Sequence, residues 1–134
     1  MRILITGASG FIGFHLCKKL INHDFEVLGI DNFNSYYDPE LKERRFRELK
    51  KISNKNKFKL YRDDIRNKNA LNKIFKDLKP DIVVNLAAQA GVRYSIENPG
   101  EYIQTNLVGF ANIIECCRNH NVKHLLYASS SSVY

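Results

Sequence analysis

The chain has 134 residues, 44% of them hydrophobic, which suits one globular domain with a packed core and argues against two. No apolar run approaches the roughly 20 residues that cross a bilayer, and the N-terminus lacks a signal-peptide pattern, so we expect a cytoplasmic protein without a membrane partner. Much of the net charge of +7 lies in residues 41–59, but Glu43 and Glu48 interrupt that run, so we expect a solvated helix face and loop rather than a nucleic-acid partner.

Five short β-rich runs alternate with longer segments of helical period. The predicted strands are residues 2–6, 25–30, 57–61, 81–87 and 124–129. An exposed helix is predicted to begin near Pro39, after a loop. Three other predicted helices each carry one apolar face, formed by Ile12, Leu16 and Leu20, by Leu71, Ile74, Phe75 and Leu78, and by Ile103, Leu107, Phe110, Ile114 and Cys117. This alternation predicts an α/β fold, a doubly wound parallel sheet with helices on both faces.

The cysteines and histidines indicate neither a disulfide framework nor a metal site. Cys17, Cys116 and Cys117 form no CxxC pair, and the four histidines lack metal-ligand spacing. We therefore expect three buried free thiols in a reducing compartment, and no bound metal.

The stretch "TGASGFIG" places Gly7, Gly10 and Gly13 at the turn from the first strand into the first helix. Glycines there let the backbone approach a pyrophosphate, which the helix N-terminus also attracts, although a tight structural turn needs glycines too. Asp31 ends the second strand, where a carboxylate meets the adenosine ribose of a dinucleotide. Because no arginine immediately follows Asp31, the pattern favours NAD over NADP. The absence of a GK[ST] sequence argues against a phosphate-hydrolysing loop.

Together with "RDDIRN", "NLAAQAG" and "TNLVG", this pattern resembles the extended short-chain dehydrogenase/reductase family, in its nucleotide-sugar epimerase and dehydratase group. The resemblance covers the whole chain and implies a Rossmann-type sheet that binds NAD. In the family, Asp64 and Ile65 match positions that contact adenine, and Asn106 matches a buried asparagine. The implied cofactor-binding residues are Gly7, Ser9, Gly10, Phe11, Ile12, Gly13, Asp31, Asn32, Asp64, Ile65, Leu86, Ala87, Ala88, Gln89 and Asn106.

Three longer stretches, "DNFNSYYDPELKERR", "AAQAGVRYSIENP" and "ASSSSVY", resemble the UDP-glucuronate 4-epimerases within that group. The resemblance implies hydride transfer from sugar C4 to NAD, a 4-keto sugar that rotates, and return of the hydride to its other face. UDP-glucose 4-epimerases and nucleotide-sugar dehydratases or decarboxylases remain alternatives.

The resemblance also implies a catalytic residue within the serine run "ASSSSVY". In the family a serine or threonine four residues before the tyrosine of this signature hydrogen-bonds the C4 oxygen, and that position is Ser130. Ser131 and Ser132 would contact the sugar or its carboxylate, and Arg93 an anionic part of substrate or cofactor. The alternatives are a simple polar turn for the serines and a surface ion pair for Arg93.

No tyrosine in the sequence is followed four residues later by a lysine, the pair that supplies the family's general base. We therefore expect residues 1–134 to be an incomplete NAD-binding Rossmann domain, truncated after the fifth strand, with the C-terminal substrate domain absent. On this interpretation the parent protein is an epimerase and the isolated chain is inactive. The rival is a non-catalytic NAD-binding fragment. Whether the full-length protein is a homodimer stays open.

Overall fold

Five parallel strands form one sheet in the computed structural model, which describes residues 1–54 and 57–133. The spatial order is β3-β2-β1-β4-β5. The strands are β1 Arg2–Thr6, β2 Glu26–Ile30, β3 Phe58–Tyr61, β4 Ile82–Asn85 and β5 His124–Tyr127. The first strand therefore lies in the middle, paired with β2 on one side and β4 on the other.

Helices connect the strands as right-handed crossovers require. They are α1 Phe11–Asn22, α2 Pro39–Ile52, α3 Lys68–Leu78, α4 Val92–Glu97, α5 Pro99–Tyr102 and α6 Phe110–Asn119, with a π-helical segment, Ile103–Gly109, between α5 and α6. A short 3₁₀ turn, Ser131–Val133, follows β5. In the part of the chain that the structure describes, no helix is both long enough and apolar enough to cross a bilayer.

Two hydrophobic clusters, one on each face of the sheet, confirm the predicted doubly wound architecture. Residue Leu4 of β1 belongs to the cluster that contains α3 and α6 side chains, whereas its neighbours Ile3 and Ile5 belong to the cluster that contains α1 and α2 side chains. Successive side chains of a strand point to opposite faces, so both faces of β1 are covered. Burial on both faces explains why the sequence of β1 is apolar without alternating polar residues.

Strand β4 is shorter than the predicted strand 81–87. It ends at Asn85, beyond which the Thr6 hydroxyl accepts hydrogen bonds from Leu86 N–H and Ala87 N–H at 3.1 and 3.0 Å. Leu86 N–H also donates to the Thr6 carbonyl oxygen at 3.3 Å. Strand β5 ends at Tyr127, opposite Asn85, two residues before the predicted end. The first strand has the predicted bounds, and β2 and β3 each begin one residue later than predicted.

The predicted face of α1 was confirmed only in part: Leu16 and Leu20 are partly buried and pack against the core, but Ile12 does not. The buried residues of α1 are Gly13, Phe14, Cys17 and Ile21, whereas Ile12 is 63% exposed. Gly13 packs directly against the preceding loop, where a Cβ would overlap the Gly7 carbonyl group. This close approach rotates Ile12 away from the core.

The predicted apolar stripe of residues 103–117 was wrong for Ile103, Leu107 and Ile114, although Cys117 is buried as expected. The π-helical segment changes the bond pattern to i→i+5 and shifts the phase of every residue that follows it. The core therefore receives Ile113, Cys116 and Cys117, whereas Ile103, Leu107 and Ile114 are exposed.

The remaining predictions for α2, α3 and the cysteines were confirmed. Helix α2 begins at Pro39, where the Asp38 carboxylate accepts a hydrogen bond from Glu40 N–H at 3.0 Å, and most of its residues are exposed. Helix α3 buries Leu71, Ile74 and Phe75. All three cysteines are free and buried, and burial raises the pKa of Cys17 to about 12.

Candidate functional site

A cleft of about 550 Å³ opens at the carboxyl ends of β1, β2 and β4. Open α/β sheets bind their ligands at this edge, where the strand order reverses. The volume is within the range of small-molecule sites. Of the predicted cofactor-binding residues, all except Ser9 and Asn106 line this cleft.

The glycine loop forms the floor of the cleft. Gly7 has a φ of 69°, and a Cβ there would lie 3.0 Å from Ala87 N, so any other residue would be both strained and crowded. Gly7 N–H donates to Ile30 O at 2.8 Å and fixes the loop to the end of β2. The N-cap of α1 is Gly10, which provides no capping side chain, so the amides of the first turn stay available to an anion.

The Asp31 carboxylate is almost completely buried at the edge of the cleft. It accepts hydrogen bonds from Ser9 N–H at 3.0 Å, Phe33 N–H at 2.9 Å and the Lys42 ammonium group at 3.0 Å. A carboxylate has about four acceptor sites, so about one remains for a ribose hydroxyl. The sequence analysis identified Asp31 but missed Lys42, because the lysine lies 11 residues farther along the chain, on α2.

Thr6 joins the ends of β1 and β4 beneath the cleft. Its hydroxyl donates to Asn85 Oδ1 at 2.6 Å and accepts the two N–H groups of Leu86 and Ala87. These bonds hold the segment 86–89, which lines one wall of the cleft. The sequence analysis did not single out Thr6.

Asn106 supports that wall from outside. Its side chain makes two hydrogen bonds with the Gln89 backbone, accepting from N–H at 2.8 Å and donating to the carbonyl group at 3.1 Å. The expectation that Asn106 is buried was wrong: the residue is exposed, because it lies on the π-helical segment at the molecular surface. It does not line the cleft.

Asp64 and Ile65 lie at the far end of the cleft. Ile65 is 3% exposed and belongs to the core. Burial raises the pKa of Asp64, but hydrogen bonds from the Arg66 guanidinium and the Asn32 amide outweigh this effect, and the pKa lies below its usual range. Asp64 is therefore a fixed negative charge beside Asn32 and Arg66.

The predicted substrate residues do not line the cleft. Ser130, Ser131 and Ser132 follow β5 at the same edge of the sheet and are exposed, and Ser130 Oγ accepts from Ser132 N–H at 3.0 Å. Of this segment only Ala128 reaches the cleft. Arg93 is exposed on α4 and forms no ion pair with any described residue.

The stretch after β2, predicted from the sequence as a loop followed by an exposed helix, forms much of a second wall of the cleft. Tyr36 and Tyr37 line the cleft, their rings are 4.8 Å apart, and the Tyr36 ring lies 5.1 Å from that of Tyr94 on α4. The other residues of this wall are Asn34, Asp38, Leu41, Lys42 and Arg45. The sequence analysis used the two tyrosines only within the family resemblance and did not predict that they line the cleft.

The cleft suits a dinucleotide in shape and donor chemistry. It combines a glycine turn that no Cβ would fit, an uncapped helix N-terminus and an acid at the end of β2. Ser9 Oγ, buried within the loop, has no hydrogen-bond partner among the described residues, so the loop also holds an unused hydroxyl.

Residues 3–134 match the model of the NAD dependent epimerase/dehydratase family. The chain is 56% identical over 134 residues to Protein CapI of Staphylococcus aureus, covering all of this chain and 39% of that protein. It is 45% identical over 131 residues to a UDP-glucuronate 4-epimerase of Thermodesulfobacterium geofontis, covering 98% of this chain and 40% of the relative. The chain thus spans about two fifths of the length of these relatives.

A solved structure shares the fold over the entire chain. It is a UDP-glucuronic acid 4-epimerase from Bacillus cereus in complex with UDP-4-deoxy-4-fluoro-glucuronic acid and NAD, 36% identical with a TM-score of 0.86, and the match covers 100% of this chain and 41% of that one. The fold, the glycine loop with Asp31 and the match to the family model all indicate the same family. The chain belongs to the NAD dependent epimerase/dehydratase family.

Proposed function

We propose that this chain is the NAD-binding part of a nucleotide-sugar 4-epimerase that converts UDP-glucuronate to UDP-galacturonate. The observation that carries the proposal is the cleft at the carboxyl edge of the sheet, where the glycine loop, the N-terminus of α1 and Asp31 converge. The 45% identity to a UDP-glucuronate 4-epimerase supports the substrate.

The residues of the cleft have distinct roles in this proposal. The glycine loop and the first turn of α1 receive the pyrophosphate, and Asp31 accepts a hydrogen bond from the adenosine ribose. Asp64 and Ile65 lie where the adenine would contact the protein, and Leu86–Gln89 flank the nicotinamide half. When bound, NAD accepts a hydride from sugar C4 and later returns it to the opposite face.

The serines after β5 act on the sugar. Ser130 donates a hydrogen bond to the C4 oxygen and so orients the sugar, and Ser131 and Ser132 hold the uronate carboxylate. Their position at the edge that also bears the cleft supports this assignment, since β5 directs the chain there beside Ala128, which lines the cleft. Ser130 Oγ keeps its donor capacity, because in its present hydrogen bond it is the acceptor.

The test is a product assay with the protein expressed from the complete gene. With UDP-glucuronate, we expect UDP-galacturonate, a new peak in chromatography at unchanged mass. A product lighter by carbon dioxide would instead indicate a decarboxylase, and turnover of UDP-glucose alone would indicate the related 4-epimerase. A folded protein that binds NAD and converts none of these would be the non-catalytic alternative.

A serine pair provides the matched control. Replacing Ser130 with alanine is expected to lower kcat by about 100-fold, as loss of a donor to a developing oxyanion does, while NAD binding is unchanged. Ser129→Ala removes a hydroxyl one residue away and is expected to retain most of the rate. Equal losses in the two variants would contradict the role of Ser130.

A further inference from the structure

Phe33, two residues after Asp31, has a backbone conformation that bulky side chains rarely adopt. Its φ of 53° lies in the left-handed region, which favours glycine. This conformation turns the Phe33 N–H group back toward the end of β2, where it donates to Asp31 Oδ1 at 2.9 Å. A strained residue persists only where its surroundings hold it, and such residues gather at ligand sites. The contacts of the Phe33 side chain therefore bear on the geometry of the cleft.

Arg62, the first residue after β3, covers the Phe33 ring. The central carbon of its guanidinium lies 4.1 Å from the ring centroid, within the range of a cation–π contact. The same group lies 5.4 Å from the ring of Phe46 on α2, and it donates two hydrogen bonds to the Glu43 carboxylate at 2.5 and 2.8 Å. A planar guanidinium with a bidentate partner has a fixed orientation. Arg62 therefore joins the end of β3 to α2 and to the loop after β2.

Two loops meet at the end of the cleft where the adenine would lie. Arg62 begins one of them, and Phe33 lies in the other. On the side of the cleft, the Asn32 amide donates to Asp64 Oδ2 at 3.0 Å and links the two loops. Neither Arg62 nor Phe33 lines the cleft, so their contact is a second link between the same loops, made from outside. Both links act on the gap into which the adenosine half of the cofactor would fit.

The ion pair of Arg62 is expected to add little to the stability of the fold. The Arg62 side chain is 48% exposed and that of Glu43 is 31% exposed. Exposed ion pairs contribute little to the free energy of unfolding, because water solvates the separated charges almost as well. Arg62 is thus held in one orientation by contacts that the fold hardly needs. An effect on geometry, rather than on folding, is the better account of this arrangement.

We propose that Arg62 is a positioning residue for the dinucleotide: it holds Phe33 in its left-handed conformation and so keeps the Asp31 carboxylate oriented for the adenosine ribose. The inference rests on the proposed function, because it requires the adenosine half of NAD to lie beside Asp31. Without Arg62, Phe33 relaxes toward a negative φ, which turns its N–H group away from Asp31 Oδ1. The carboxylate then loses one of its three donors and takes more than one orientation.

The experiment compares NAD affinity and stability in the protein expressed from the complete gene. Arg62→Met removes the planar cation and is expected to raise the Kd for NAD in calorimetry by about tenfold, because the ribose loses a well-aligned hydrogen bond to a charged group. Arg62→Lys keeps the charge without the planar group and is expected to fall between that variant and the wild type. The matched control is Arg118→Met: Arg118 also makes two hydrogen bonds with a carboxylate, that of Glu115, but lies outside the cleft, so wild-type affinity is expected.

The role of Phe33 is tested with a residue that adopts the same backbone without strain. Glycine accepts a φ of 53°, so Phe33→Gly is expected to keep the Kd for NAD within about threefold of the wild type. In this background, Arg62→Met is expected to change the Kd by less than about twofold. An equal loss of affinity with and without Phe33→Gly would show that Arg62 does not act through Phe33.

A second readout separates positioning of the adenosine half from general loosening of the protein. ADP-ribose lacks only the nicotinamide of NAD, so Arg62→Met is expected to weaken both ligands by the same factor. At saturating NAD, its kcat with the sugar nucleotide is expected to match the wild type, because Arg62 acts at the end of the cleft remote from the hydride. Unchanged affinity for ADP-ribose, or a kcat that falls in proportion to the affinity, would contradict the proposal.

The remaining outcomes separate the inference from the function on which it rests. A wild type that binds no NAD overturns the proposed cofactor, and with it this inference. A wild type that binds NAD, together with a folded Arg62→Met of unchanged affinity, overturns the positioning role alone. If circular dichroism or the urea midpoint shows that Arg62→Met loses its fold while Arg118→Met keeps it, Arg62 is a structural residue and the positioning role is likewise wrong.

Discussion

The N-terminal and C-terminal halves of the described chain differ in how completely their apolar side chains are covered. In residues 1–78, here called the closed half, β1 and β2 are buried and the large exposed apolar side chains lie mostly along the cleft, as Phe11 and Tyr37 do. In residues 86–133, the open half, β5 is mostly exposed, and Val92, Ile96, Ile103, Leu107, Leu126 and Tyr127 face outward. Exposed apolar patches of this kind mark contact surfaces. Outside the cleft, the closed half therefore covers most of its apolar side chains, whereas the open half leaves many of its own exposed.

The largest effect should come from truncating a buried apolar residue of the closed half, whereas the same kind of truncation in the open half should have almost none. Phe75 on α3 is 0% exposed, and Phe75→Ala is expected to lower the free energy of unfolding by about 3–5 kcal/mol, because it leaves a cavity. Leu107 is 65% exposed, and Leu107→Ala is expected to change it by less than about 0.5 kcal/mol. Urea denaturation measures both. Similar losses in the two variants would remove the distinction between the halves.

Thr6 joins the two halves, and its loss should have a smaller effect. Thr6→Val keeps the shape but leaves Ala87 N–H without an acceptor and Asn85 Oδ1 without its donor, at a cost of about 1–3 kcal/mol. Leu86 N–H keeps its second acceptor, the Thr6 carbonyl oxygen at 3.3 Å. The cleft wall formed by residues 86–89 should loosen, so NAD affinity should fall as well. Thr6→Ser keeps the hydroxyl and serves as the control. If Thr6→Ser weakens binding as much as Thr6→Val does, the lost methyl packing is responsible and not the hydrogen bonds.

The smallest change in stability is expected at the ion pairs of Arg66, which joins Asp64 in the closed half to Glu101 in the open half. This change depends on pH. Arg66 contacts Asp64 at 2.8 Å and Glu101, on α5, at 3.3 Å. Because the folded-state pKa of Asp64 is below its usual value of 3.8, its contribution to stability is present above that pH and is lost as pH falls through the folded-state pKa. Asp64→Asn should therefore destabilise the protein at pH 6, and the loss should become smaller as the pH is lowered toward 3. Urea midpoints at both pH values provide the measurement, and a difference that does not change with pH would contradict it.

Most of the fold was predictable because it depends on local patterns. The apolar runs of the strands, Pro39 at the start of α2 and the periodicity of Leu71, Ile74 and Phe75 each carry their structural meaning in a few neighbouring residues. The helix faces of α1 and of residues 103–117 were not predictable in this way. The first depends on contact of Gly13 with Gly7, and the second on a π-helical segment that apolar spacing does not reveal.

The candidate site likewise contains residues that local sequence patterns predicted and residues that they did not. The glycine loop and Asp31 follow a fixed spacing and were found from the sequence, and most of the predicted residues line the cleft. Lys42, Arg45 and Thr6 were missed because their roles depend on elements that come together only in the folded chain. The serines after β5 are at the correct edge of the sheet, but the described residues do not bring them into the cleft.

The central position of β1 has a consequence for synthesis of the chain. One of its two partners, β4, comes much later, since Thr6 and its partner Asn85 are 79 residues apart. At the usual rate of translation, that interval takes roughly 4–16 s. Throughout this time the nascent chain carries an apolar strand with one edge unpaired, which is the kind of segment that aggregates or recruits chaperones. The strand order that creates the cleft therefore also means that β1, synthesised before the other four strands, is not fully paired until β4 has been made.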